Sequence, residues 1–202
     1  GVPGIGVSAP DADFPGLGLV DAGQFRVVSG GDGRTLAVYL PSGNARVFDG
    51  HALGDIDQDG AADYIVETRV PGQSGNDRVR IVSGATGVEL QALPALAVEA
   101  SGGDVDGDGL PDLIARVAET DGDLRAYSGA ALRAGPAPQP LWSTTLDEVS
   151  GFFPSLRMAF VGDRDGDGRD DLVFSDGFGR LRSLDGTAST STLLFDSQGG
   201  LG

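Results

Sequence analysis

Cysteine is absent from this 202-residue chain, so no disulfide can hold its fold and any staple must be something else. Basic residues are scarce: 14 Lys and Arg face 30 Asp and Glu, for a formal charge of −16. That balance excludes nucleic acid and anionic membrane surfaces as partners, because both require a basic face. No apolar run approaches the roughly 20 residues of a membrane-spanning helix, so membrane insertion is not expected. With no Cys and one His, a structural zinc site lacks its ligands. No Asn-x-Ser/Thr sequon and no Arg-Gly-Asp triplet occur. No long segment carries a 3.6-residue apolar period, so helix content should be low.

What is abundant is glycine, 34 residues, with 11 Pro, which dictates many turns between short elements. Hydrophobic residues still make up 40% of the chain, enough for a buried core and too many for a disordered acidic tail. The chain starts at Gly1 with no secretory leader, and the expectation is a processed or excised piece of a secreted or cell-surface protein.

Three nine-residue loops align directly. They are Asp55-Ile56-Asp57-Gln58-Asp59-Gly60-Ala61-Ala62-Asp63, Asp104-Val105-Asp106-Gly107-Asp108-Gly109-Leu110-Pro111-Asp112 and Asp163-Arg164-Asp165-Gly166-Asp167-Gly168-Arg169-Asp170-Asp171. A strand-like run follows each: Tyr64-Ile65-Val66, Leu113-Ile114-Ala115 and Leu172-Val173-Phe174. A second signature of strand plus tight turn comes later, at Arg80–Gly84, Arg125–Gly129 and more weakly Arg182–Gly186, with a short strand such as Val88-Glu89-Leu90 beyond it. Residues 1–46 repeat that second half at Phe25–Gly33 and Thr35–Val38 but lack an aspartate loop. The organisation is therefore one truncated repeat, 1–46, and full repeats over 47–97, 98–157 and 158–202, each an antiparallel sheet of about four strands. Leu194-Phe195-Asp196 could open a further repeat. Residues 130–157 read as a long Pro-rich connection carrying Trp142, Phe152 and Phe153.

The loop chemistry fits a hard cation with many oxygen ligands. Carboxylates at positions 1, 3 and 5 (Asp55, Asp57, Asp59; Asp104, Asp106, Asp108; Asp163, Asp165, Asp167) can converge as the chain curls, and Gly at position 6 permits the turn. Position 7 (Ala61, Leu110, Arg169) can add a backbone carbonyl, so its side chain varies. Position 9 (Asp63, Asp112, Asp171) closes the shell from the start of the next strand. An EF-hand would need Glu at position 12 and flanking helices, whereas Val66, Ala115 and Phe174 stand there within strands. Mg²⁺ prefers fewer carboxylates and more retained water. About three Ca²⁺ ions are expected, chiefly as staples. Each would add about 2.7 kcal/mol at roughly one hundred times its Kd.

The pattern Gly-Asp-x-Asp-x-Asp-Gly-x-x-Asp-hydrophobic, at Gly54–Val66, Gly103–Ala115 and Gly162–Phe174, resembles the FG-GAP repeats of integrin α-subunit propellers and the related bacterial VCBS-type repeats. Gly6-Val7-Ser8-Ala9-Pro10-Asp11 is similar to that family's Gly-Ala-Pro element, and Phe48-Asp49-Gly50 and Phe160-Val161-Gly162 partly match its Phe-Gly element. The resemblance implies an all-β fold of propeller blades, each a four-stranded antiparallel sheet. About four repeats would form part of a larger propeller, a small closed one or a self-assembling one. The expected function is a non-catalytic extracellular module for adhesion or scaffolding, with a protein partner or with itself. The alternative is glycan binding, as a lectin or an accessory domain, through Trp142, Phe152 and Phe153. An enzyme is not expected. His51 stands alone, and Ser29, Ser83 and Ser128 read as turn formers. The Thr187–Thr192 tract offers O-glycan acceptors or an exposed strand edge.

Overall fold

The structure is a computed structural model. It describes residues 4–10, 12–13, 15–17, 21–43, 45–72, 78–94, 96–117, 123–135, 137–145, 157–175, 179–187 and 191–196. Alternating and β-branched runs become strands, and the Gly-rich segments between them become turns. In the first repeat these are β1 (Gly4–Ala9), β2 (Gln24–Ser29) and β3 (Thr35–Tyr39). The second holds β4 (Arg46–Gly54), β5 (Asp63–Arg69), β6 (Arg78–Val82) and β7 (Glu89–Pro94). The third holds β8 (Leu96–Gly103), β9 (Asp112–Val117), β10 (Asp123–Tyr127) and β11 (Trp142–Thr145). The fourth holds β12 (Arg157–Gly162), β13 (Asp171–Ser175), β14 (Arg180–Leu184) and β15 (Ser191–Asp196).

Each repeat forms its own antiparallel meander in chain order, three strands in the first and four in each of the others. Such sheets are blades of the β-propeller type. Among the described residues the three-stranded sheet shows no counterpart of β4, β8 and β12, the strand that leads into each aspartate loop. Helix is confined to a 3₁₀ turn at Pro15–Leu17 and the six-residue α1 (Gly129–Ala134) among the described residues.

Two expectations change here. Residues 130–157 are no uniform connection: α1 covers their start, and Trp142–Thr145 form the fourth strand of the third sheet, pairing Ala126 with Trp142. Pro-rich composition masked that strand, because Pro136, Pro138 and Pro140 all precede it. Leu194-Phe195-Asp196 open no new repeat. They lie in β15 and close the fourth sheet, with Phe195 opposite Leu181.

The chain divides into two compact units, Gly1–Leu96 with Gly135–Ala137, and Ala97–Ala134 with Pro138–Gly202. In the first, the faces of two sheets meet over Phe25, Val27, Ala37, Tyr39, Val47, Tyr64, Val66 and Val82. The Phe25 and Tyr64 rings sit 5.3 Å apart, tilted by 54°, a geometry worth about 0.5–1.5 kcal/mol beyond burial. Gly6 and Gly50 make this possible, since a Cβ on either would collide with the Phe25 ring. The second unit has its own core, centred on Ile114, Leu124, Ala126, Leu172, Phe174 and Leu184, with Phe160 packed against it. Gly103 plays the same part there, its missing Cβ leaving room for Phe160.

Candidate metal loops

Each aspartate loop joins the first and second strands of its sheet, and its backbone explains the residue order. Position 1 organises the turn with both carboxylate oxygens. In the second loop, Gly107 and Asp108 N–H donate to Asp104 Oδ1 (2.7 and 3.1 Å) and Gly109 N–H to Oδ2 (2.8 Å). The third loop repeats this on Asp163 at 2.7, 3.1 and 2.9 Å. In the first, Asp59 and Gly60 N–H donate to Asp55 at 3.0 and 2.9 Å. At position 3, one oxygen accepts from the position-5 N–H at 3.1 Å in all three loops. Position 5 accepts from the N–H of Ala61, Leu110 and Arg169 at 2.8, 2.7 and 2.9 Å. These bonds hold each side chain in place before any ion arrives.

Carboxylate oxygens of Asp55, Asp57 and Asp63, of Asp104, Asp106 and Asp108, and of Asp163, Asp165 and Asp167 lie within 4.8 Å of one another in each set. The loops thus gather like charge into small volumes with only oxygen donors, which fits a hard divalent cation. Asp59, Asp112 and Asp171 fall outside those tight sets. Two residues per loop need positive φ. Gly60, Gly109 and Gly168 at position 6 have φ of 92°, 82° and 90°. Position 4 has the same need, with Gly107 at 77°, Gly166 at 83° and, without the glycine, Gln58 at 62°.

The position-9 aspartate ties the loop to a second segment of its sheet. Asp63 accepts Ile56 N–H on Oδ2 (2.9 Å) and Gly84 N–H on Oδ1 (3.0 Å). Asp112 accepts from Val105 and Gly129, both at 2.7 Å. Asp171 accepts from Arg164 (3.0 Å) and Gly186 (3.3 Å). One buried carboxylate therefore brackets the metal loop to the turn after the third strand, and the two sequence signatures of the repeat are halves of one device. The turn glycine is obligatory for contact as well. A Cβ on Gly84 would overlap the Ala62 carbonyl, one on Gly129 would lie 2.7 Å from the Pro111 carbonyl oxygen, and one on Gly186 2.8 Å from that of Asp170. Ser29-Gly30 has no loop to clasp, and the first sheet shows no such bracket among the described residues.

Burial pushes the Asp112 carboxyl up to about 7 against the two N–H donors that hold it down, and burial raises Asp63 too. Asp163, fully exposed, is lowered by the N–H groups of Gly168 and Gly166. A cation beside Asp112 and Asp63 would offset the cost of burying their charge. A link the sequence did not suggest comes from Asp170 at position 8. Its N–H donates to the Asp104 carbonyl (2.7 Å) and its Oδ2 accepts Asp104 N–H (3.0 Å), tying the second loop to the third.

The other candidates fall elsewhere. His51 lies on β4 with Nε2 3.5 Å from Glu67 Oε1. Trp142 is half-buried against the second core, and its indole N–H donates to the Gly186 carbonyl at 2.8 Å. Phe152 and Phe153 lie outside the described residues. Ser83 and Ser128 accept N–H bonds from Thr86 and Ala130 in their turns. No helix among the described residues is long and apolar enough to cross a membrane.

No family profile matches the chain. No curated protein matches it either. Among solved structures, it is similar to the rhamnogalacturonan lyase YesW, at 17% identity and a TM-score of 0.52, over 91% of this chain and 37% of that one. BamB from Moraxella catarrhalis matches at 15% identity and a TM-score of 0.43, over 87% of this chain and 47% of that one. BBS1N, solved in complex with ARL6DN, matches at 12% identity and a TM-score of 0.41, over 85% of this chain and 60% of that one. The chain thus spans less than two thirds of each of these proteins. The first likeness agrees with the four sheets described above: the fold is one of β-propeller-type blades.

Proposed function

We propose that the chain is a calcium-stabilised, non-catalytic β-repeat module of FG-GAP or VCBS type, working outside the cell in adhesion or scaffolding. The supporting observation is the bracket at Asp63, Asp112 and Asp171, which makes each acidic loop part of the blade's frame. Ions held there stabilise surfaces and leave the chemistry of a partner to the faces they hold in shape. His51 is paired with Glu67 on a strand, away from the Asp loops' donor sets, which agrees with a non-catalytic role. Sugar stacking on Trp142 loses support, because its ring serves the core and its N–H is engaged.

Thermal unfolding in millimolar CaCl₂ and again in excess EGTA tests the reading. Three sites at about one hundred times Kd contribute roughly 8 kcal/mol. At about 2–4 °C per kcal/mol for a chain of this size, chelation should lower the midpoint by about 15–30 °C. Titration calorimetry should count three Ca²⁺ per chain. An unchanged midpoint with no heat of binding would refute the calcium role.

A further inference from the structure

The fourth sheet departs from its sister repeats at two aligned positions that are core elsewhere. Loop position 2 is Ile56 and Val105 in the first two loops, both 2% exposed, but Arg164, exposed, in the third. At the second position of the strand-and-turn signature, Ile81 and Ala126 are buried where the fourth sheet has Ser183. These two changes meet. Arg164 and Ser183 line one cavity of about 280 Å³ with Asp185, Thr192, Leu194 and the loop carboxylates Asp165 and Asp171.

Both replaced groups have hydrogen-bonding capacity left over. Ser183 is 8% exposed and lines the cavity, so its hydroxyl can bond what enters. The Arg164 guanidinium pairs with no carboxylate among the described residues. Asp185 spends Oδ1 on the N–H and hydroxyl of Thr187, at 2.8 and 3.0 Å, leaving Oδ2. The lining therefore offers donors, acceptors and two hydroxyls, with Leu194 as an apolar member. With Asp165 and Asp171 given over to the loop, one guanidinium faces one carboxylate, Asp185, so the rest of the lining favours an ion of neither sign. The volume falls just below the roughly 300–1,000 Å³ of drug-sized pockets and suits a single ring.

We propose that this cavity is a binding site for one residue of a neutral saccharide, with Arg164 and Asp185 bonding adjacent ring hydroxyls and Ser183 supplying a buried partner. The site goes beyond the calcium reading, and its test keeps Ca²⁺ bound throughout so that the two can fail separately.

The experiment is an amide-resolved NMR titration of the calcium-loaded chain with the methyl glycosides of glucose, galactose and mannose. The methyl glycoside of galacturonic acid, with its carboxylate free, and tetramethylammonium serve as the anionic and cationic probes. At least one neutral glycoside should give saturable shifts confined to residues around Arg164, Ser183, Asp185 and Thr192, with millimolar affinity. Arg164→Val and Ser183→Ala restore residues that the sister repeats already carry at these positions, so both should fold. Each should weaken binding about tenfold. Shifts from the charged probes alone would overturn the proposal. So would no saturable shift with any neutral glycoside, or cavity shifts that survive in the double variant.

Discussion

Replacing Gly84 by Ala tests the coupling between the turn and the metal loop most sharply. The added methyl would occupy the position of the Ala62 carbonyl oxygen, so the turn must retreat. Retreat stretches the 3.0 Å bond from Gly84 N–H to Asp63, whose side chain is fully buried. Overpacking costs about 1–3 kcal/mol. A weakened hydrogen bond to a buried carboxylate adds about 1.5–3 kcal/mol. The expected loss is about 3–5 kcal/mol, or roughly 10 °C in the unfolding midpoint. Gly33→Ala supplies the control. Gly33 has φ of 71° but nothing within 4 Å of its Cβ position, so only backbone strain of about 1 kcal/mol should appear. Urea denaturation followed by circular dichroism in CaCl₂ measures both, and calorimetry should show one calcium site of three weakened in Gly84→Ala. If Gly84→Ala is no more destabilised than Gly33→Ala and all three sites keep their affinity, bracket and ion are not coupled.

Other outcomes follow from the same geometry. In EGTA, stability should fall as pH rises from about 4 to 7. The folded chain holds a proton on Asp112, whose carboxyl is pushed up to about 7, and on the raised Asp63, after the unfolded chain has lost it. Urea midpoints at pH 5 and pH 8 check the sign, and a higher midpoint at pH 8 would contradict it. Gln58→Gly should stabilise the metal-free chain by about 0.5–1 kcal/mol, since it relieves a φ of 62°, read from the same denaturation curves. Trp142→Phe should cost about 1 kcal/mol through the lost bond to Gly186. A neutral result there would mean that the indole N–H finds water instead.

Much of this was legible in the sequence because the repeat spoke three times. Strand runs after each loop, such as Tyr64-Ile65-Val66, and the turns after β6, β10 and β14 follow directly from alternation and glycine. Three aspartates of each loop converge, at positions 1, 3 and 5 in the second and third loops and at positions 1, 3 and 9 in the first. What spacing could not show is contact across the sheet. Asp63 and Gly84 are 21 residues apart, and only pairing of β5 with β6 brings them together. The positive φ at position 4 was hidden because Gln58 breaks the glycine pattern that Gly107 and Gly166 set. The partner of Trp142 was hidden for a related reason. Its Pro-rich surroundings gave no strand signal, whereas pairing with Ala126 places it beside Gly186.

The bracket also has a mechanical meaning. A sheet peeled from its outer strand, β7, β11 or β15, loads the turn glycine first, and that glycine is pinned to the carboxylate at the foot of the second strand. A sheet peeled from its first strand loads the metal loop, which is pinned to the same carboxylate. Force entering a blade from either edge therefore meets one shared rivet before it reaches the two central strands. An ion that tightens the loop tightens that rivet in both directions. A change in calcium level would then set the force at which each loop-bearing blade opens, while the first sheet, which shows no such rivet among the described residues, would not feel it.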